Sequence, residues 1–132
     1  MGGSLVPSIL LVEDDDQLRK AIALILTRDG FVVHEARNVR EGSALFEANA
    51  ETIGLAVLDM LLPGESGLDL AAELERRRPG MKILYISGCV ESVAMESIMR
   101  HSPQSVLLKP FPLDRLVDSV RDLLAGGRGA GG

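Results

Sequence analysis

A single cysteine, Cys89, leaves no partner for an intramolecular disulfide and suits a reducing compartment, so a cytoplasmic protein is expected. Long hydrophobic runs are missing too. The longest apolar stretch, Ala21 to Leu26, falls far short of the ~20 residues a helix needs to cross a bilayer, and no membrane contact is expected. Met1-Gly2-Gly3-Ser4 has neither the basic start nor the apolar core of a secretory leader. Positive charge is scarce: the formal charge is −5, which argues against a nucleic-acid surface. The one basic run, Arg76-Arg77-Arg78, ends a predicted helix, where cations complement the dipole, and reads as a solvated helix end. No internal repeat or polar low-complexity run is visible. At 132 residues with 46% hydrophobic content, the chain fits one domain with a packed core.

What is present alternates. Ile9–Val12, Leu55–Leu58, Ile83–Ile86 and Val106–Leu108 are continuous apolar runs, as expected of strands covered on both faces of a parallel sheet. Val32–Ala36 is more mixed and suits an edge strand. Between the runs, Leu18, Ile22, Ile25 and Leu26 recur at helical spacing, as do Leu113, Leu116, Val117, Val120 and Leu124. Asn38 with Glu41, and Ser66 with Asp69, have capping-box spacing, and Gly30 stands where the first helix should stop. The pattern predicts an α/β fold with five strands and five helices, (βα)5. Right-handed crossovers then favour a doubly wound parallel sheet. Periodicity leaves the strand order open. Residues 8–125 are expected to form the domain, 1–7 an appended scar or disordered N-terminus, and 126–132 a disordered Gly-rich tail.

Ligands of such sheets bind at the carboxyl ends of the strands. The first strand runs into Glu13-Asp14-Asp15-Asp16, the third into Asp59, the fourth into Ser87 and the fifth into Lys109. Each has an ordinary explanation taken alone. Asp15 and Asp16 are expected to cap and begin a helix. Together, the others bring carboxylates, a hydroxyl and an ammonium to one edge. Two carboxylates about 5 Å apart repel by roughly 3 kcal/mol at an effective dielectric of 20. A cluster of them raises its pKa values or recruits a cation. Oxygen ligands of this kind suit Mg2+, and the lack of His and Cys argues against zinc. Such a site is equipped for phosphoryl transfer to an aspartate.

Four segments, Leu11-Val12-Glu13-Asp14-Asp15, Leu58-Asp59-Met60-Leu61-Leu62-Pro63-Gly64, Ile86-Ser87-Gly88 and Lys109-Pro110-Phe111, resemble the signature blocks of response-regulator receiver domains of two-component signalling. They appear in order and at receiver spacing, over about Ser8 to Ala125. The resemblance implies the flavodoxin-like strand order 2-1-3-4-5. It implies Asp59 as phosphoacceptor and metal ligand, Asp14 as the nearer metal ligand of the acidic pair, and Glu13 acting largely through water. The Leu61 backbone carbonyl would complete the metal set, Ser87 would hydrogen-bond the phosphoryl group, and Lys109 would pair with its oxygens across a Lys109-Pro110 bond that is often cis. Mg2+ is the implied cofactor and the phosphohistidine of a histidine kinase, or of its phosphotransfer domain, the implied donor. His34 and His101 are not placed to be that donor. The chain would catalyse only its own phosphorylation and slow dephosphorylation, any kinase activity lying elsewhere. Lys82-Ile83-Leu84-Tyr85-Ile86-Ser87-Gly88 resembles receivers at the C-termini of hybrid kinases.

One position departs from the family. Val106 stands where receivers usually carry the Tyr or Phe that follows the hydroxyl during switching, which predicts a muted switch. Two rivals remain at this point. A haloacid-dehalogenase-like phosphatase would use Asp14-x-Asp16 but leaves the Lys-Pro block unexplained. A pseudo-receiver would lack the acidic pair or the acceptor, and this sequence has both.

Overall fold

A computed structural model describes residues 7–62, 65–88 and 93–126. Five parallel strands form the central sheet: β1 Ser8–Val12, β2 Val33–Ala36, β3 Ile53–Asp59, β4 Lys82–Ser87 and β5 Val106–Leu108, in the order β2-β1-β3-β4-β5. Helices α1 Asp16–Arg28, α2 Val39–Asn49, α3 Gly67–Arg77, α4 Val93–His101 and α5 Leu113–Leu124 follow them in turn. A short antiparallel pair, Leu61–Leu62 with Glu65–Ser66, leads from β3 into α3. The order agrees with the one the resemblance implies, and β2 is an edge strand as expected.

The continuous apolar runs arise because alternate residues serve two cores. Ile9, Leu11, Leu55, Val57, Leu84 and Ile86 pack against Ile22 and Leu26 of α1 and Leu116, Val117 and Val120 of α5. Leu10, Val12, Ala56, Leu58 and Ile83 face the other way, against Phe46 of α2 and Leu70 and Leu74 of α3. Burying a side chain of this size is worth about 1.5–3 kcal/mol, so the two layers hold the sheet between them. They fix where each strand ends.

Local signals behave as expected, with three corrections. Asp15 caps α1, its Oδ1 accepting from the N–H groups of Gln17 and Leu18 at 3.0 and 3.2 Å. Gly30 takes φ +98° where α1 ends, a conformation that costs glycine little. Asn38 accepts from the Glu41 N–H at 2.8 Å, but Glu41 reaches back to the N–H of Arg37 at 2.9 Å, one residue before the cap. Ser66 accepts from the Leu68 N–H at 3.0 Å, two residues on rather than three, so the Ser66/Asp69 pair is not the expected box. The third correction is Arg78. Read as part of a solvated helix end, it instead donates to the carbonyls of Ala50 and Ile53, tying the end of α3 to the start of β3.

Candidate functional site

Because the strands are parallel, their carboxyl ends lie at one edge of the sheet, and β1 and β3 are adjacent there through the register Val12↔Leu58. Glu13 and Asp14 follow β1 directly, and Asp59 is the last residue of β3. One carboxylate oxygen from each of Glu13, Asp14 and Asp59 lies within 4.8 Å of the others. Asp14 is exposed, whereas Glu13 is fully buried and Asp59 is 3% exposed. Next door, β4 ends in buried Ser87, whose backbone carbonyl accepts from the Lys109 N–H at 2.8 Å. That bond delivers Lys109, just beyond β5, to the cluster. Its Nζ donates to Asp59 Oδ2 at 3.0 Å and stands 3.5 Å from Glu13 Oε1. The Lys109-Pro110 bond is cis, as the resemblance implies.

Four of the expected side chains are therefore brought together: Glu13, Asp14, Asp59 and Lys109. Ser87 is at the end of the neighbouring strand, one residue beyond Ile86, the register partner of Asp59. Leu61 lies in the short antiparallel pair, with its side chain outside the described residues, as are Pro63, Gly64 and Cys89. Of the segments expected to be disordered, 1–7 and 126–132, residues 1–6 and 127–132 also fall outside them. His34 lies within β2 and His101 ends α4 with its Nδ1 2.9 Å from the Ser97 carbonyl, both outside the acidic cluster. Asp16 turns away to Arg19 at 2.7 Å, so the Asp14-x-Asp16 pattern of the phosphatase rival does not form the cluster.

The electrostatics of the cluster are unfavourable as it stands. Burial pushes the Glu13 carboxyl up to about 7. The N–H of Asp15, 3.0 Å from its Oε2, opposes that shift, while Asp59 adds to it through a hydrogen bond and its charge. Burial pushes the Lys109 ammonium down, but its bond to Asp59 and the charges of Asp59 and Glu13 outweigh this and leave its pKa raised. One ammonium thus faces three carboxylates. Glu13 Oε1 is buried without any hydrogen bond. The nearest cation, Lys109 Nζ at 3.5 Å, is already hydrogen-bonded to Asp59, so a single ammonium is shared between buried carboxylates, a cost that a further cation would lower. An all-oxygen donor set with an unsatisfied member fits a hard divalent ion such as Mg2+, and no His or Cys joins this cluster among the described residues.

Sequence reasoning missed two residues that shape this edge. Arg19 is 6% exposed and donates to the Glu13 carbonyl at 3.1 Å. Gly67 begins α3 against the backbone of Asp59, where a Cβ would collide with the Asp59 carbonyl oxygen. A basic residue on the α1 stripe one turn after the acidic pair was a readable signal for the first. Nothing local marked the second, because the close approach depends on how α3 packs.

The model of the response regulator receiver domain family matches residues 9–121. The chain belongs to that family. The receiver is 30% identical over 117 residues to the sensor kinase CckA of Brucella abortus (strain 2308), covering 89% of this chain and 12% of that protein. It is 38% identical over 113 residues to the photosynthetic apparatus regulatory protein RegA of Cereibacter sphaeroides, covering 86% and 60%. The chain spans 12% to 60% of the first curated relatives it matches. Among solved structures, a CheY-like receiver domain protein from Methanospirillum hungatei JF-1 superposes with a TM-score of 0.79 at 26% identity, over 96% of this chain and 99% of that one. The receiver domain of the hybrid histidine kinase CckA does so at 0.74 and 29%, over 89% and 98%. Receivers are phosphoacceptor modules of two-component systems rather than enzymes in the ordinary sense, and generally bind Mg2+ at an acidic pocket. No helix among the described residues is long and apolar enough to cross a membrane.

Proposed function

We propose that this receiver, residues 8–125, accepts a phosphoryl group from the phosphohistidine of a histidine kinase or phosphotransfer domain onto Asp59. The reaction depends on Mg2+, and the acyl phosphate hydrolyses slowly. The observation that carries this reading is the meeting of Glu13, Asp14 and Asp59 at one sheet edge with a single ammonium, Lys109, among them, and with Glu13 Oε1 left without a hydrogen bond. Asp14 and Asp59, with the Leu61 carbonyl and Glu13, would hold the ion. When bound, Mg2+ neutralises charge on the carboxylates and on the oxygens of the transferring group.

The chain's own residues do the rest. An Asp59 carboxylate oxygen attacks phosphorus in line; a P–O bond forms as the P–N bond to the donor imidazole breaks, and the imidazole keeps the electron pair and takes up a proton. Lys109 Nζ, held on Asp59 before transfer, exchanges that contact for a phosphoryl oxygen. The Ser87 hydroxyl donates to another. Hydrolysis by water at phosphorus then returns the Asp59 carboxylate and releases phosphate. Partial alignment with a sensor kinase and likeness to a hybrid-kinase receiver support a cytoplasmic relay role in which the output lies in other domains. Incubation with acetyl phosphate, with and without Mg2+ and beside Asp59→Asn, tests the reading. Phosphorylation of the native chain alone, abolished by chelator, is expected. Equal modification of the variant would contradict it.

A further inference from the structure

Two of the three carboxylates ride on the turn between β1 and α1, and that turn is held from one side by Arg19. The guanidinium is almost wholly buried and makes three contacts: one terminal nitrogen donates to the Glu13 carbonyl at 3.1 Å, the other lies 2.7 Å from Asp16 Oδ1, and Nε donates to Glu35 Oε1 at 3.3 Å. Glu35 lies near the end of the neighbouring β2. On the other side the Glu13 N–H donates to the Ala36 carbonyl at 3.0 Å. Both peptide groups flanking the Glu13 side chain are therefore fixed, and the Asp15 N–H fixes Oε2. Only Oε1 is left, directed toward Lys109 and Asp59.

An arginine tying α1 to β2 could serve stability alone. Its bond to the carbonyl of Glu13 argues for more, because that residue belongs to the carboxylate cluster and its neighbour Asp14 belongs too. Three carboxylates within 4.8 Å repel one another, and a loose turn would relieve the repulsion by swinging outward. Asp16 and Glu35 together more than offset the guanidinium charge, so it holds the backbone without competing as a cation for the cluster.

We infer that Arg19 is a positioning residue of the cation site, locking the turn so that Glu13 and Asp14 face Asp59 before the ion arrives. This rests on the functional reading above. Groups that orient metal ligands from behind typically change affinity about 10- to 100-fold when removed.

The test is an NMR titration of the full chain with MgCl2, for the native protein, Arg19→Ala, Arg19→Lys and Leu123→Ala. Thermal melts in EDTA and initial rates of acetyl phosphate labelling accompany it. Leu123 is buried in the core layer under α5 and, with Gly80 and Met81, lines a cavity at the amino end of β4, so its truncation weakens the fold away from the cluster. Arg19→Ala should raise the Mg2+ concentration for half-saturation about tenfold or more, with the labelling rate at saturating Mg2+ little changed. Arg19→Lys keeps the charge without the planar fork and should fall between. Leu123→Ala should melt earlier yet bind Mg2+ normally. If Arg19→Ala does not fold, weakened Mg2+ binding by a normally melting Arg19→Lys supports the inference. A change below about twofold in a folded Arg19 variant, with only the melting temperature lowered, overturns it alone. A native chain that binds no Mg2+ overturns it together with the functional reading.

Discussion

Glu13→Gln should stabilise the metal-free receiver at pH 8. The carboxylate is fully buried, and its charge interactions nearly cancel. At an effective dielectric of 20, repulsion from a carboxylate within 4.8 Å is at least about 3.5 kcal/mol, and attraction to Lys109 at 3.5 Å is about 5 kcal/mol. Asp14 adds repulsion that solvent screens. Desolvation therefore decides the sign, and it opposes the charge. A carboxyl moved from 4.5 to about 7 corresponds to roughly 3 kcal/mol, an upper bound for what neutralisation returns. Glutamine keeps the shape, can accept from the Asp15 N–H, and can donate toward Asp59. We expect a gain of about 1–3 kcal/mol, a rise of several degrees in melting temperature. The pH dependence follows from linkage. The folded pKa lies above the unfolded one, so the native state holds the extra proton between pH 4.5 and 7. Native stability from this group is present below 4.5 and is lost as pH rises towards 7. The advantage of Glu13→Gln should be small at pH 5 and full at pH 8. Saturating Mg2+ should shrink it, because ion binding stabilises the native protein more than the variant. Urea melts at both pH values, in EDTA and in MgCl2, measure all of this. A variant no more stable than the native chain at pH 8 in EDTA would refute the reasoning.

Three further outcomes are expected. Gly67→Ala should displace the Asp59 backbone, lowering stability by about 1–3 kcal/mol and slowing acetyl phosphate labelling, whereas Gly88→Ala, with open space around it, should fold normally. Tyr85 is the one tyrosine and there is no tryptophan, so phenolate absorbance reports it alone. Burial, with the charge of Glu75, should place its midpoint at about 12 in the folded protein, and stability should fall as pH rises from 10 towards 12; a midpoint near 10 in folded protein would contradict the packing. Phosphorylation should change amide shifts strongly beside Asp59 but weakly along α4, because Val106 is stiff at χ1 and cannot swing between two positions as an aromatic ring does. Equally broad changes along α4 would show that another group, such as Tyr85, which pairs with Val106 in register, carries the switch.

The fold was legible because its determinants are local. Ile9–Val12 and Leu55–Leu58 read as doubly covered strands, since each alternates between two buried clusters, and Gly30 marks a helix end by its backbone freedom. Strand ends were less clear: β3 continues back to Ile53, where Gly54 interrupts the apolar run, and through Asp59, whose polarity hides its place in the ladder. The site was legible where strand ends carry unusual chemistry, as at Glu13, Asp59 and Lys109. Contacts that depend on packing between elements were hidden. Arg78 looked like one more solvated cation, yet it meets two carbonyls from another part of the chain. Arg19 falls on the buried stripe of α1 with Ile22 and Leu26, but the partner that its charge meets, Glu35, arrives from β2.

The central claim is that the Asp59 carboxylate is the nucleophile in a cation-dependent phosphoryl transfer. Its most direct test is the mass of the intact chain after acetyl phosphate and Mg2+ treatment, followed by hydroxylamine, which cleaves acyl phosphates but leaves phosphoserine intact. The account predicts one added phosphoryl group, lost in hydroxylamine and absent from both Asp59→Asn and EDTA-treated protein. A hydroxylamine-resistant label, or one that persists on Asp59→Asn, would contradict it.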